Sequence, residues 1–239
     1  MFKRAALNTL ITATALSLCG PAAAHHDATE WEVKRDRDGI VISTRSVEGS
    51  RHKMVRSEMT IPARLSAIVA LLQDTEACKQ LSELCRESRV LSGTPPTDLV
   101  VYTYNDLPWP VTDRVGVVRA LWSQDPANGI VTMEAEIVPG HIEKENRTIR
   151  LENGTIVWRL TPLADGMVEV VQDSHVDPAG RTPAWLTNRL LVDAPFETLV
   201  AVREILASGR YAQSSYAFID DELIASELMG GSTDADDNR

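Results

Sequence analysis

The sequence predicts an α+β fold: one antiparallel sheet, two short helices near its start and one long helix at its end. Three observations carry this. From Arg86 to Asp177 the apolar residues recur with a period of two. Asn153-Gly154 and Asp165-Gly166 separate alternating runs, as tight antiparallel hairpins require. No βαβ alternation is present, which argues against a parallel sheet.

The elements follow in order. Trp31 to Arg45 reads as a polar lead-in, a turn at Asp38-Gly39 and a strand over 40–45, and 53–60 reads as a second strand. Pro62 then opens a helix with Leu65, Ile68, Val69 and Leu72 on one face, proline sitting where its missing N–H costs nothing. A second short helix follows Gln73 and runs toward Leu84. Strands are expected at 86–92, 98–104, 113–122, 129–138, 147–151, 154–161 and 167–177. Between them lie turns such as Thr94-Pro95-Pro96, Pro108-Trp109-Pro110 and Pro139-Gly140. Pro183 to Ser208 forms the long apolar helix, with a kink expected at Pro195. Past Tyr211 the pattern is lost, and the Gly- and Asp-rich end is too polar to order. The organisation predicted is therefore a leader over 1–24, one domain over 25–210 and an acidic, disordered tail over 211–239.

The leader is read from Lys3 and Arg4, the interrupted apolar run Ala5–Leu18, and the small-residue site Pro21-Ala22-Ala23-Ala24. This is the pattern of a secretory signal peptide cleaved after Ala24, too short and polar to span a bilayer. Leu18 before Cys19 argues against a lipid anchor at that cysteine, since such processing wants a small residue there. A periplasmic or secreted location follows. The remainder fits a single domain with a full core. Asp and Glu total 34 against 24 Lys and Arg, so nucleic acid, whose phosphates demand clustered cations, is not an expected partner.

Two cysteines remain after cleavage, Cys78 and Cys85. An even count in an oxidising compartment favours a disulfide. In one continuous helix their Cα atoms would stand about 10 Å apart, out of reach. The bridge therefore requires the helix to end between them. No histidine or third cysteine nearby suggests a metal site, and apart from the adjacent His25-His26, which cannot form a helical i, i+4 pair, no histidines have ligand spacing. No G-x-S-x-G, P-loop, dinucleotide or HExxH motif is present. No cofactor is expected.

One helix over a sheet of seven or more strands leaves space on the concave face. Strand 113–122 places Arg114, Gly116, Val118, Ala120 and Trp122 on one face, and strand 167–177 places Val168, Val170, Gln172, Ser174 and Val176 on one face. A buried arginine at the head of an apolar face is costly unless partnered. The mid-face Gln172 and Ser174 are either solvated edge positions or polar groups inside a greasy cavity. His175 falls on the other face with Glu169 and Asp173.

Two segments resemble those of a known family. Leu107-Pro108-Trp109-Pro110-Val111-Thr112-Asp113-Arg114 looks like the proline loop and arginine that open the central strand of START (StAR-related lipid transfer) domains. Asp177 to Asn188 resembles that family's entry to its C-terminal helix, a D-P-x-G-x-x-P-x-W-x-x-N pattern. With Trp158 and Arg89-Val90-Leu91 the resemblance runs in register over about 31–208, and the second motif is the more specific. Val115 stands where the family usually has an acid, so any role of that acid is absent. The chain thus resembles an exported bacterial START protein.

That resemblance implies a helix-grip fold, a curved antiparallel sheet wrapped around the long C-terminal helix with an internal hydrophobic tunnel for one lipid. Glu87 and Arg114 are the expected acid–arginine pair, by register alone. Val118, Ala120, Met133, Trp185, Leu186 and Leu190 are expected to line the tunnel, with Arg114, Gln172 and Arg189 near the polar head. The loop 138–148 and the terminal helix would form a movable lid hinged at Pro139-Gly140 and Pro195. The function implied is a monomeric carrier of one lipid or other hydrophobic molecule across the periplasm, with transient membrane contact. The related fold also hosts cyclases and aromatases, so an enzyme of the cyclase/aromatase or hydrolase kind in the same cavity is an alternative, as is a protein-binding periplasmic adaptor. Lipid identity and the donor and acceptor membranes are not legible.

Overall fold

The computed structural model describes residues 30–139 and 147–223, so the leader, Gly140 with the centre of the expected lid loop, and the last sixteen positions lie outside the described residues. The chain runs β1 (Glu32–Arg37), β2 (Ile40–Arg45), β3 (Met54–Pro62), α1 (Leu65–Gln73), α2 (Cys78–Leu81), β4 (Cys85–Thr94), β5 (Asp98–Asn105) and β6 (Asp113–Gln124). It continues through β7 (Val131–Ile137), β8 (Thr148–Arg150), β9 (Gly154–Pro162), β10 (Met167–Val176), α3 (Ala184–Asn188), a π-helical turn (Arg189–Asp193) and α4 (Ala194–Ala207).

All ten described strands join one sheet in the order β1-β2-β3-β10-β9-β7-β6-β5-β4, antiparallel throughout except that short β8 lies parallel to the start of β6. The break in the meander is at β3, which pairs with the last strand while α1 and α2 carry the chain across to β4 at the far edge. Helices and sheet thus share one core. Ile68, Val69 and Leu71 of α1 and Phe196, Leu199 and Val202 of α4 pack with Ile40, Ile42, Val131, Leu160 and Val170 of the sheet. This is the curved sheet with a C-terminal helix that was expected.

One expected hairpin is absent: β8 and β9 do not pair across Asn153-Gly154, because β8 lies parallel to β6 while β9, which starts at Gly154, pairs with β7 and β10. Four further details differ from the sequence reading. β1, EVKRDR, is a strand rather than a lead-in: a charged strand at a sheet edge has no alternation to read, and its charges discourage further pairing. The Asp38-Gly39 turn that joins it to β2 is present, with both residues at positive φ, 55° and 73°. Pro62 ends β3 instead of opening a helix, and α1 begins at Leu65. The irregularity expected at Pro195 falls upstream: the amide of Ala194 reaches back to Arg189 in a π turn, and Pro195 sits in the first turn of α4, where no donor is needed.

The fourth difference concerns 211–239. Residues 211–223 are packed, not loose. Tyr211 is buried and its phenol donates to Asp74 Oδ2 at 2.6 Å. Tyr216, Phe218 and Ile219 lie against the core. Asp221 accepts from the Ser66 amide at 2.9 Å and the Ser66 hydroxyl at 2.6 Å, and so caps α1, whose own Arg64 position supplies no side-chain cap. Asp221 belongs to an acidic run that reads as solvated in the sequence. Polar runs hide such a role because the partner is 155 positions away.

Candidate functional site

The inner face of the sheet can be followed rung by rung. One row runs Trp122, Met133, Trp158, Gln172, Ser57, Ile42 across β6, β7, β9, β10, β3 and β2. The next runs Ala120, Ala135, Ile156, Ser174, Val55, Thr44. Alternation in β6 carries the same face down through Val118 and Gly116 to Arg114.

A cavity of about 110 Å³ lies between this face and the first two helices. Leu72, Cys78 and Leu81 roof it, and Leu99, Val101, Ala120 and Met133 floor it, with Asp74 and Ser88 among its polar members. The roof is fixed to the sheet edge by a disulfide between Cys78 and Cys85, whose Cα atoms stand 5.8 Å apart. α2 ends at Leu81, between the two cysteines, which meets the geometric condition for bridging. A second depression, about 310 Å³, is on the outer face among Arg119, Glu134 and Glu136, a charged setting unsuited to an apolar ligand.

Asp74 sits where roof, sheet and C-terminal segment meet. Burial pushes its carboxyl up, but the Tyr211 phenol, the Glu76 amide and the Arg210 guanidinium outweigh this and hold it below the ordinary carboxylate range. Burial and the bond to Asp74 push Tyr211 up to about 12. The pair is therefore a charged acceptor with a firmly protonated donor.

Arg114 is 3% exposed, as a buried residue heading the face. Its partners are backbone carbonyls: Nε donates to Pro178 at 2.7 Å, Nη2 to Ala179 at 2.9 Å, and Nη1 to Thr112. Burial lowers its pKa from the arginine norm, with Asp113 opposing. The expected Glu87 partner is elsewhere. A bulge between Cys85 and Glu87 shifts the register so that Glu87 faces Tyr104 and hence shares the Val115 side of the sheet, opposite to Arg114. Glu87 is exposed and paired with Arg89, while Ser88 takes the inward place across from Thr103 and Gly116. One inserted residue overturns a pairing that uninterrupted alternation supports.

Arg114 explains the 177–188 motif. Asp177 turns the chain by accepting from the Ala179 amide at 2.8 Å. Gly180 follows at φ 67°, and a Cβ there would come within 3.0 Å of Ile149 Cδ1. The loop so formed presents two carbonyls to Arg114 and locks the start of β6 to the entry of α3.

Of the other expected site residues, Ala120 and Met133 line the cavity, and Val118 and Gln172 lie on the inner face. Leu186 is fully buried and Leu190 half-buried. Two expectations are corrected. Trp185 is 48% exposed and turned from the interior, because α3 presents Leu186, not its neighbour, to the core. Arg189 bonds Glu83 at 2.6 Å and Glu197 at 3.4 Å, a surface network rather than a head-group contact. Thr44 and Ser57, both buried on the inner face, were not singled out from the sequence, although the alternation Ile40, Ile42, Thr44 in β2 points inward.

Comparison with known proteins bears on this arrangement. Residues 22–208 match the family model described as START domain. An uncharacterized protein of Pseudomonas aeruginosa is 32% identical over 195 residues, covering 82% of this chain and 94% of that protein. Among solved structures, the STAR-related lipid transfer protein of Xanthomonas axonopodis (fragment 25–204) is 33% identical with a TM-score of 0.68, over 74% of this chain and 98% of that one. Human StAR-related lipid transfer protein 5 reaches the same TM-score at 15% identity, over 77% of this chain and 89% of its own, a likeness of fold.

Proposed function

The chain belongs to the START domain family, and on that premise we propose that it binds one lipid or other hydrophobic molecule between sheet and helices and carries it between membranes. The observation that carries the reading is the cavity lining: Leu72, Leu81, Leu99, Val101, Ala120 and Met133 form an apolar wall, with the polar groups confined to Ser88 and residues 73–75, the composition of a site for a greasy ligand. Burying a lipid tail contributes about 0.8 kcal/mol per methylene, so a tail of ~12 methylenes supplies about 10 kcal/mol before ordering costs. The cavity is smaller than the ~300–1,000 Å³ of ordinary ligand sites, so loading requires the roof or the helix above it to move. The π turn at Arg189–Asp193 is the natural place for that movement, since such turns break the regular ladder of a helix.

The leader-like segment supports action in the periplasm or outside the cell. No described helix is long and apolar enough to cross a membrane. Trp109, 92% exposed, and Trp185, 48% exposed, flank the Arg114 junction and suit transient contact with a bilayer interface, where indoles settle. The reading is of a carrier, not an enzyme.

The test is transfer of fluorescent lipids between two vesicle populations. The wild-type protein should accelerate transfer of at least one class. Ala120→Trp, which fills the cavity, should abolish it while keeping the native circular dichroism spectrum. If sterols, phospholipids, fatty acids and quinones all fail to bind or move while the protein is folded, the carrier reading is wrong.

A further inference from the structure

The inner face of the sheet carries buried polar groups with no hydrogen-bond partner among the described residues. Thr44 and Ser57 are each 1% exposed, and neither hydroxyl has a hydrogen-bond partner among the described residues. The indole N–H of Trp122, on the cavity floor, is likewise unpartnered. A buried hydroxyl left unpaired opposes folding, and valine at 44 or alanine at 57 would occupy nearly the same space without that penalty.

Register brings the two hydroxyls together. Thr44 pairs with Val55 and Ile42 with Ser57, so Thr44 and Ser57 are diagonal neighbours on one face, about 7–8 Å apart. Gln172 stands directly across from Ser57, and Ser174 across from Val55. Four uncharged polar side chains therefore form an island across β2, β3 and β10, beside the Ile, Val, Ala, Met and Trp of the same two rows. The island lies four strands from β6, about 19 Å along the sheet. The π turn and α4 lie against β2 and cover it.

Charge narrows the ligand. Arg114 is the buried cation of the described residues, and its guanidinium is committed to three backbone carbonyls. An anionic head group at the island would be buried with no free counter-charge beside it, which is strongly unfavourable. A hydroxyl or carbonyl would instead exchange hydrogen bonds with groups that now have none. We propose that Thr44, Ser57 and Gln172 form the polar end of the ligand site and select an uncharged lipid whose hydroxyl or carbonyl bonds the Thr44 and Ser57 hydroxyls. The assignment rests on the carrier reading above.

Pyrenedodecanol and pyrenedodecanoic acid share a tail and differ in head group, so they test the class directly at about pH 8, where the acid is ionised. Wild-type protein should bind the alcohol about tenfold more tightly than the carboxylate. Thr44→Val combined with Ser57→Ala should weaken alcohol binding about tenfold, leave the carboxylate unchanged, and leave the ligand-free melting temperature equal or higher. Equal or tighter binding of the carboxylate by wild type, undiminished alcohol binding by the double variant, or a lower ligand-free melting temperature would each overturn the assignment. If folded wild type binds neither probe, nor any of the lipid classes named above, the carrier reading itself falls and the assignment with it.

Discussion

Asp221→Ala should be among the most destabilising single changes outside the core. The carboxylate is 10% exposed and makes three contacts: Ser66 N at 2.9 Å, Ser66 Oγ at 2.6 Å and Arg64 Nη2 at 2.8 Å. Losing a helix N-cap costs about 1 kcal/mol. Ser66 is fully buried, so its hydroxyl, left without an acceptor, adds roughly 1–2 kcal/mol. The Arg64 pair is half-exposed and adds little. The expected loss is about 2–3 kcal/mol, or roughly 4–12 °C in melting temperature for a domain of this size. Thermal unfolding followed by circular dichroism reads this, and a cycle with Ser66→Ala isolates the shared part. Ser66→Ala should itself be mild, and the double variant should be no worse than Asp221→Ala alone. A single variant melting within about 1 °C of wild type would mean that the C-terminal segment is not docked on α1, and the packing of residues 211–223 would have to be abandoned.

Two further outcomes are expected. Arg114→Met should cost about 2–4 kcal/mol, because three carbonyls lose their donor. Glu87→Gln should add to it independently, within about 0.5 kcal/mol, because the two side chains are on opposite faces; a strong coupling in denaturant melts would show that they meet after all. Tyr211 titrates above an ordinary phenol, near 12, so its stabilising proton is fully in place below about pH 10 and is lost as pH rises through the folded value. The stability difference between wild type and Tyr211→Phe should therefore shrink between about pH 10 and pH 12; a difference independent of pH in that window would contradict the Tyr211–Asp74 bond.

Much of this molecule can be read from residues alone where the physics is local. Period two located β4 to β7, β9 and β10 within a few residues, because successive side chains of a strand point to opposite faces of the sheet. The turns at Asp38-Gly39 and Asp165-Gly166 were legible because both residues of each take positive φ. The misreadings come from long-range or non-periodic causes. A single bulge at Glu87 inverted a face. β1 is an edge strand with no pattern. Asp221 and Tyr211 gain their meaning from α1 and Asp74, more than a hundred positions earlier. Of the site, Ala120 followed from alternation and Met133 from the family resemblance, and both line the cavity, whereas Thr44 and Ser57 stand out when the rungs of the sheet are aligned and their hydroxyls prove to have no partner among the described residues.

The twelve-residue run of β6 sets the two ends of the protein apart. Asp113 starts the strand beside the Trp109 loop, and Gln124 finishes it by donating to the Asp220 carbonyl, with Leu223 packed over Gly129 close by. The last described residues thus leave from the pole opposite the exposed indole, roughly 35–40 Å away. A fluorophore attached at Leu223 would then report orientation: with the Trp109 pole on a vesicle it would give less energy transfer to acceptors in the lipid than with the other pole docked, where it would be quenched more strongly.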